Sequence, residues 1–242
     1  MKTKRTKKYE FTGKEFTTLD GIVLRQIRAL VNIGRQVKAG DFGGHIEKES
    51  NLSHEGNCWI FYPAKVQGES RVFDDAIVRD FSIVCGEARV YDKAIVERGS
   101  YVCDQSRIFG NAKISRGTYV CDKSQVYGDA KITSTIKGLT VSLYDESKVF
   151  GKARISDGVI LSGRAMVYEN AKVYGHANIS GDVQLYGNSI VCDYATVSCH
   201  AEVSGNVKIA DRVKVEGYSS LSGNCIFRGS EVISKISHGF LF

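Results

Sequence analysis

The chain has 242 residues, of which 43% are hydrophobic, with 25 glycines, one proline and a formal net charge of +6. That is enough apolar material for one sizeable domain, and no apolar run approaches the roughly 18 residues a membrane-crossing helix needs. Much of the charge sits in Lys2, Lys4, Arg5, Lys7 and Lys8. No hydrophobic stretch comes after them, so residues 1–8 read as a flexible basic arm and not as a secretory signal. Seven cysteines without such a signal point to free thiols in a reducing, cytoplasmic setting.

Residues 9–62 read as a small N-terminal β-rich cap. Tyr9–Thr12 and Glu15–Thr18 flank a turn at Gly13-Lys14, and Asp20-Gly21 is a hairpin signal. The next run, Ile22–Val31, fits a helix by spacing, but its place after a hairpin signal favours a strand. Gly40, Gly43 and Gly44 suggest a tight loop, and Pro63 marks the boundary between the cap and the repeats.

From Ala64 to Ile236 one six-residue pattern repeats: AKVQGE, SRVFDD, AIVRDF, SIVCGE, ARVYDK and onward. The third position is apolar in every hexad, and the first is small in all but the last, where Glu231 stands. Two inward positions separated by one outward residue are the mark of a short strand. The fifth position is mostly Gly or Asp, residues that accept positive φ and turn a corner. A strict period of six does not fit an amphipathic helix. A unit this small cannot bury itself and must stack on copies.

A longer period sets the coil. Phe73, Tyr91, Phe109 and Tyr127 recur every 18 residues, as do Cys85, Cys103 and Cys121, and Phe150, Tyr168 and Tyr186 resume the spacing after an insertion. Three hexads therefore make one coil. Residues 63–236 are expected to form an all-β, single-stranded parallel β-helix of about nine coils. Residues 136–140 (IKGLT) interrupt the hexads once and fit a bulge at a corner. The apolar tail, 237–242, is a candidate cap for the far end.

The alternation of small residue, x, Val/Ile, x, Gly/Asp, x resembles the hexapeptide-repeat left-handed β-helix of the trimeric LpxA-like superfamily. The aromatic before the glycine (VYGDA, VYGHA, VFGKA) and the leader VKAGDFGGHIEKESNLSHEGNCWIF, residues 37–61, are similar to the YdcK-like branch found in bacteria and their phages. The resemblance implies a left-handed coil, an uncharacterised activity and, as is common in the superfamily, a homotrimer. It also brings in the acyltransferases of the superfamily, which use acyl-CoA, a base that is typically histidine, and a long loop over the site.

Three sets of residues are candidates for function. Arg71, Arg89 and Arg107 stand two residues before Phe73, Tyr91 and Phe109, and the ring column continues through Tyr127, Phe150, Tyr168 and Tyr186. Such a stripe suits a protein interface or a self-stabilising stack with cation–π contacts. Basic groups beside rings can also hold nucleic acid, which is the less favoured partner. Ile83, Tyr101 and Tyr119 form an outward apolar column, the mark of a contact surface. Cys85, Cys103 and Cys121 beside them read as inert thiols, because one column of adjacent rungs does not present a tetrahedral set, and no metal is expected. His176 and His200 are the weak catalytic candidates; they occupy corners on different faces. His45 and His54 belong to the leader, and His238 lies near the C-terminus.

The expected function is a non-enzymatic scaffold or protein-binding module, with a protein partner or self-association and no cofactor; the resemblance implies a phage or bacterial host-interaction role. Whether it is an enzyme is left open, with the non-enzymatic reading preferred. The alternatives are an acyl- or acetyltransferase using acyl-CoA with His176 or His200 as base, and polyanion binding along the arginine–aromatic face.

Overall fold

A computed structural model describes residues 7–234. The chain is all-β among these residues, apart from one short 3-10 turn at Glu49–Asn51, and winds as a parallel β-solenoid of about ten turns. Almost every solenoid strand is two residues long. Each pairs in parallel with strands one coil above and below, through bonds such as Phe109 N–H to Val126 O at 3.0 Å and Tyr127 N–H to Val149 O at 3.0 Å.

Three sheets form the sides of a prism. The first face runs from Lys65-Val66 through Ile83-Val84, Tyr101-Val102 and Tyr119-Val120 to Val232-Ile233. The second starts at Arg71-Val72 and carries the aromatic column. The third starts at Trp59-Ile60 and runs through Lys113–Ser115, Lys131–Thr133 and Arg154–Ser156. Register advances by 18 residues per coil from Trp59 onward, except in the one coil that spans the insertion, where Tyr119 pairs with Ser142, Gln125 with Lys148 and Lys131 with Arg154. The insertion lies at the corner between the third and first faces, as its length predicts.

The expected core is the observed core. Third-position side chains from Val66 to Leu221 are buried, and the first-position alanines close the wall behind them. Several inward serines are accommodated because the hydroxyl turns back on its own corner: Ser106 Oγ donates to Cys103 O at 2.6 Å and Ser100 Oγ to Glu97 O at 2.8 Å, whereas Ser124 and Ser147 bond to each other at 3.2 Å and Ser189 Oγ has no partner among the described residues. A buried hydroxyl with a partner costs little.

The corners use left-handed backbone, which Asp tolerates better than most residues. Asp92 sits at φ 55°, and its carboxylate accepts the Gly110 N–H one coil on, at 2.9 Å. Asp145 does the same for Gly163 at 2.8 Å, and Asp211 for Gly229 at 3.0 Å. Fifth-position Asp therefore both makes the turn and caps an N–H of the next one.

The leader is more closely woven into the solenoid than its composition suggests. Strands β1 (Tyr9–Thr17) and β2 (Val23–Ala29) form the expected hairpin at Asp20-Gly21, and the helical alternative for the second strand is not taken. The turn expected at Gly13-Lys14 is instead a bulge inside β1, where the register shifts between Phe11 and Glu15. Strand β3 (Phe42–Ile46) pairs with β2 on one side and with Lys65-Val66 on the other, Leu52 bridges to Val72, and Trp59-Ile60 joins the third face. These three segments make one coil upstream of Pro63, which is why there are about ten turns and not nine. Lys8, at the edge of the expected arm, is buried, and its Nζ donates to Cys58 O at 3.0 Å. At the other end Ile226 and Val232 are 63% and 55% exposed; the tail 237–242 lies outside the described residues.

Corner geometry separates two kinds of glycine. Gly187 has φ +68°, and a Cβ there would meet the Gly205 nitrogen at 2.8 Å, whereas Gly99 has φ +71° with nothing within 4 Å. Gly187→Ala is expected to cost about 1–3 kcal/mol, while Gly99→Asn stays within about 0.5 kcal/mol of the parent. Denaturant unfolding of the two variants side by side checks the contrast.

Candidate functional site

The second face carries the longest ordered surface. Arg71, Arg89 and Arg107 are in register on consecutive rungs. Beside them Phe73, Tyr91, Phe109, Tyr127, Phe150, Tyr168 and Tyr186 stack with centroids 4.7–5.0 Å apart and planes within 7° of parallel. The spacing is that of the β-ladder, and it matches the offset-stacked range for aromatic rings. All seven rings are half-buried. Burial against their neighbours pushes the phenols of Tyr91, Tyr127 and Tyr168 above their ordinary value. The expected cation–π contacts between these arginines and rings do not form among the described residues; those present involve Lys14, Arg25, Lys65 and Arg212. Within the stack each ring's faces are already taken by the rings above and below, only the outer faces of Phe73 and Tyr186 lacking a ring among the described residues, so the guanidinium groups stand beside the stack.

On the first face Ile83, Tyr101 and Tyr119 are also in register. Tyr101 and Tyr119 lie 5.7 Å apart at 42°, and Tyr119 is 42% exposed. Cys85 and Cys103 behind them are buried and Cys121 is half-buried. Cys85 Sγ lies 3.1 Å from the Tyr101 hydroxyl. Cys103 is bound into a different group: its thiol reaches Asp104 Oδ2 at 3.0 Å, and the donor atoms of Cys103, Asp104 and Cys121 lie within 4.8 Å of one another. The hydrogen bond from Cys103 holds the Cys121 thiol below its ordinary pKa, and that of Cys103 is driven up by the same bond and by burial. Reading the cysteines as a column missed Asp104, a corner residue at φ 55° whose carboxylate turns back onto the thiol.

The two solenoid histidines occupy different corners, as their spacing predicts, and the structure does not bring them together. His176, between the third and first faces, stacks on Tyr194 at 4.9 Å, with Arg212 over the far side of that ring. His200, between the first and second faces, stacks on Tyr218 at 4.7 Å. Its Nδ1 lies 3.3 Å from Asp182 Oδ2, and Arg164 Nε donates to the other oxygen of the same carboxylate at 2.6 Å. The Arg164 hydrogen bond, and its charge, hold Asp182 below the ordinary carboxylate range.

The third face contains a feature that the sequence reading passed over. Lys113, Lys131, Arg154 and Lys172 share one column on consecutive rungs. Lys113 is neutralised by Glu97, whose side chain is 2% exposed and also held by Arg79. The other three have no acidic partner within 4 Å among the described residues. Arg154 and Lys172 join Lys152 in a groove of 680 Å³ edged by Asn170, Asn188 and Asn206, whose amides bond in series at 3.3 and 3.0 Å. The near-regular spacing of these cations was legible in the sequence, but the aromatic column is the louder signal at the same period.

In the leader, His45 is half-buried between Phe16 and Tyr62, and its Nδ1 has no hydrogen-bond partner among the described residues. Lys65 is its register partner on one side and Gln26 on the other.

This assembly of two-residue strands, small inward residues and left-handed corners defines a parallel β-solenoid that fits the hexapeptide-repeat β-helix superfamily. No protein-family model matches the chain. Over 75 residues it is 35% identical to a protein of Escherichia coli (strain K12) described as the uncharacterized acetyltransferase YdcK, a match covering 28% of this chain and 23% of that relative. The chain thus matches under a quarter of the relative's length. No helix among the described residues is long and apolar enough to cross a membrane.

Burial, and then Lys65, pushes the His45 pKa below 6.5. The unfolded chain therefore takes up a proton that the folded chain refuses, and stability falls as pH drops below about 6.5. The thermal midpoint is expected to decline between about pH 7 and pH 5, before carboxylates titrate, and the decline should be shallower in His45→Gln.

Proposed function

We propose that this protein is a rigid β-helical scaffold that docks a protein partner or a second copy of itself on its first and second faces. The observation that carries this reading is the run of seven parallel rings with three arginines beside it, none of them in an ion pair among the described residues. The N-terminal strands extend the first sheet in its own plane. The second face and the Ile83–Tyr119 column are thus left as outward surfaces. Rings held in register lose little side-chain freedom on binding, which favours association. Tyr and Arg are also the residues that dominate protein interfaces.

Sedimentation velocity across a concentration series tests the self-association form. Wild type is expected to associate, and the double variant Ile83→Lys, Tyr119→Lys to sediment as a monomer. A monomeric wild type at every concentration would assign these faces to a different protein. Equal association of wild type and variant would remove the first face from the interface.

A second reading, acyl transfer from acyl-CoA, is favoured by the description of the Escherichia coli relative and by two local arrangements. Asp182 on Nδ1 of His200 would leave Nε2 facing outward as a base, taking the proton of an acceptor hydroxyl or amine as it attacks the acyl carbonyl and the CoA thiol leaves. Lys152, Arg154 and Lys172 in the third-face groove would hold the phosphates of CoA. The histidine and the groove lie on different corners of one prism, so this reading needs a second copy to bring them together. A saturable rise in melting temperature with acetyl-CoA, reduced in Lys152→Glu, Arg154→Glu, supports it. The absence of any shift at millimolar acetyl-CoA rejects it.

A further inference from the structure

We propose that Cys103, Cys121 and Asp104 bind a thiophilic divalent cation, with zinc as the natural occupant, at the corner where the first face turns into the second. The site is independent of the docking and acyl-transfer readings. Its three donor atoms lie within 4.8 Å of one another. Tetrahedral zinc with two sulfurs at about 2.3 Å and one oxygen at about 2.0 Å needs its donors about 3.5–3.8 Å apart, so small side-chain rotations that open the 3.0 Å contact between Cys103 and Asp104 and draw in Cys121 form the set.

The backbone places these donors. Cys103 and Cys121 occupy the same hexad position on adjacent rungs, fixed by the Cys103 N–H to Val120 O bond at 2.9 Å. Asp104 follows Cys103 at the left-handed corner, and its Oδ2 lies 3.0 Å from the Cys103 sulfur while accepting the Asp122 N–H at 3.2 Å. That amide steadies the carboxylate from behind, as outer partners do in metal sites.

The donor set fits a cation of this kind. No Lys or Arg lies within 4 Å of Asp104 among the described residues, and the nearby Lys123 pairs with Glu146, so no basic side chain competes with a cation for the carboxylate. Binding would release the thiol protons to solvent, and the two sulfurs favour zinc over magnesium or calcium. Asp104, which is exposed, connects the set to solvent: it lines a groove of 440 Å³ with Gly86, Glu87, Gln105, Asp122 and Lys123, while the two cysteines lie behind it. Cys85, one rung back, is engaged by the Tyr101 hydroxyl and stays outside the set.

Titration of the reduced, metal-stripped full-length chain with cobalt(II), followed by competition with zinc, tests the site. Wild type should bind one equivalent of cobalt with a thiolate-to-metal charge-transfer band, and zinc should displace it. Cys103→Ser and Cys121→Ser should each lose the band, and Asp104→Asn should weaken binding by about tenfold or more, with Cys85→Ser unchanged. Asp104 is exposed, so its variant keeps the fold, and far-ultraviolet circular dichroism verifies the serine variants. The absence of a band in wild type, or a band that survives Cys103→Ser, overturns the proposal.

Discussion

The hydrogen-bond ladder between coils is the constraint on which the rest of the molecule depends. A strand of two residues has no stability alone, and each here exists because the chain returns to the same place after 18 residues and finds its N–H and C=O groups answered. Parallel pairing in strict register leaves no freedom to slip. A shift of one residue would turn the inward Val and Ile to solvent. The single insertion survives because it is absorbed at a corner, after which the ladder resumes with Tyr119 opposite Ser142.

Register has a chemical consequence, since whatever occupies an outward position is stacked about 4.8 Å from the residue one coil away, and where the hexads repeat closely that neighbour is of its own kind. For rings this is favourable, and the second face becomes a continuous aromatic stack. For corner carboxylates it is also favourable, because each meets a backbone N–H of the next coil and not another carboxylate. For cations it is unfavourable. Lys131, Arg154 and Lys172 on consecutive rungs therefore stand out as a column that the fold does not require. Lys113, at the end of that column, has the buried Glu97 as its counter-ion.

Mixed chemistry is hard to assemble on such faces and easier at their corners. Neighbours along a column are often alike, as in the ring stack, and neighbours along a strand point to opposite sides. Only where the chain turns can a fifth-position side chain fold back over a fourth-position one. Asp104 over Cys103 is one result, and Asp193 over Cys192 at 3.3 Å is another. The cluster of Arg164, Asp182 and His200 arises differently, from one corner column that carries a different charge on each of three successive coils.

The sequence alone determined the coil, because the hexad encodes both inward positions and the corner, and the 18-residue recurrence of Phe73, Tyr91 and Phe109 counts the strands per turn. It also placed the ring column, the Ile83–Tyr119 column and the separation of His176 from His200, since these come from arithmetic on the period. The upstream coil through His45, Leu52 and Trp59 was hidden because its three segments are joined by irregular loops and show no period. The Asp104 partner of Cys103 was hidden for another reason. The period gives the position of a residue on a face, but the direction taken by a corner side chain depends on left-handed backbone, and it is this backbone that turns the Asp104 carboxylate back onto the neighbouring thiol. Asp182 stands one period before His200, so the sequence placed the two in one column, and stacking carries one corner to within reach of the next.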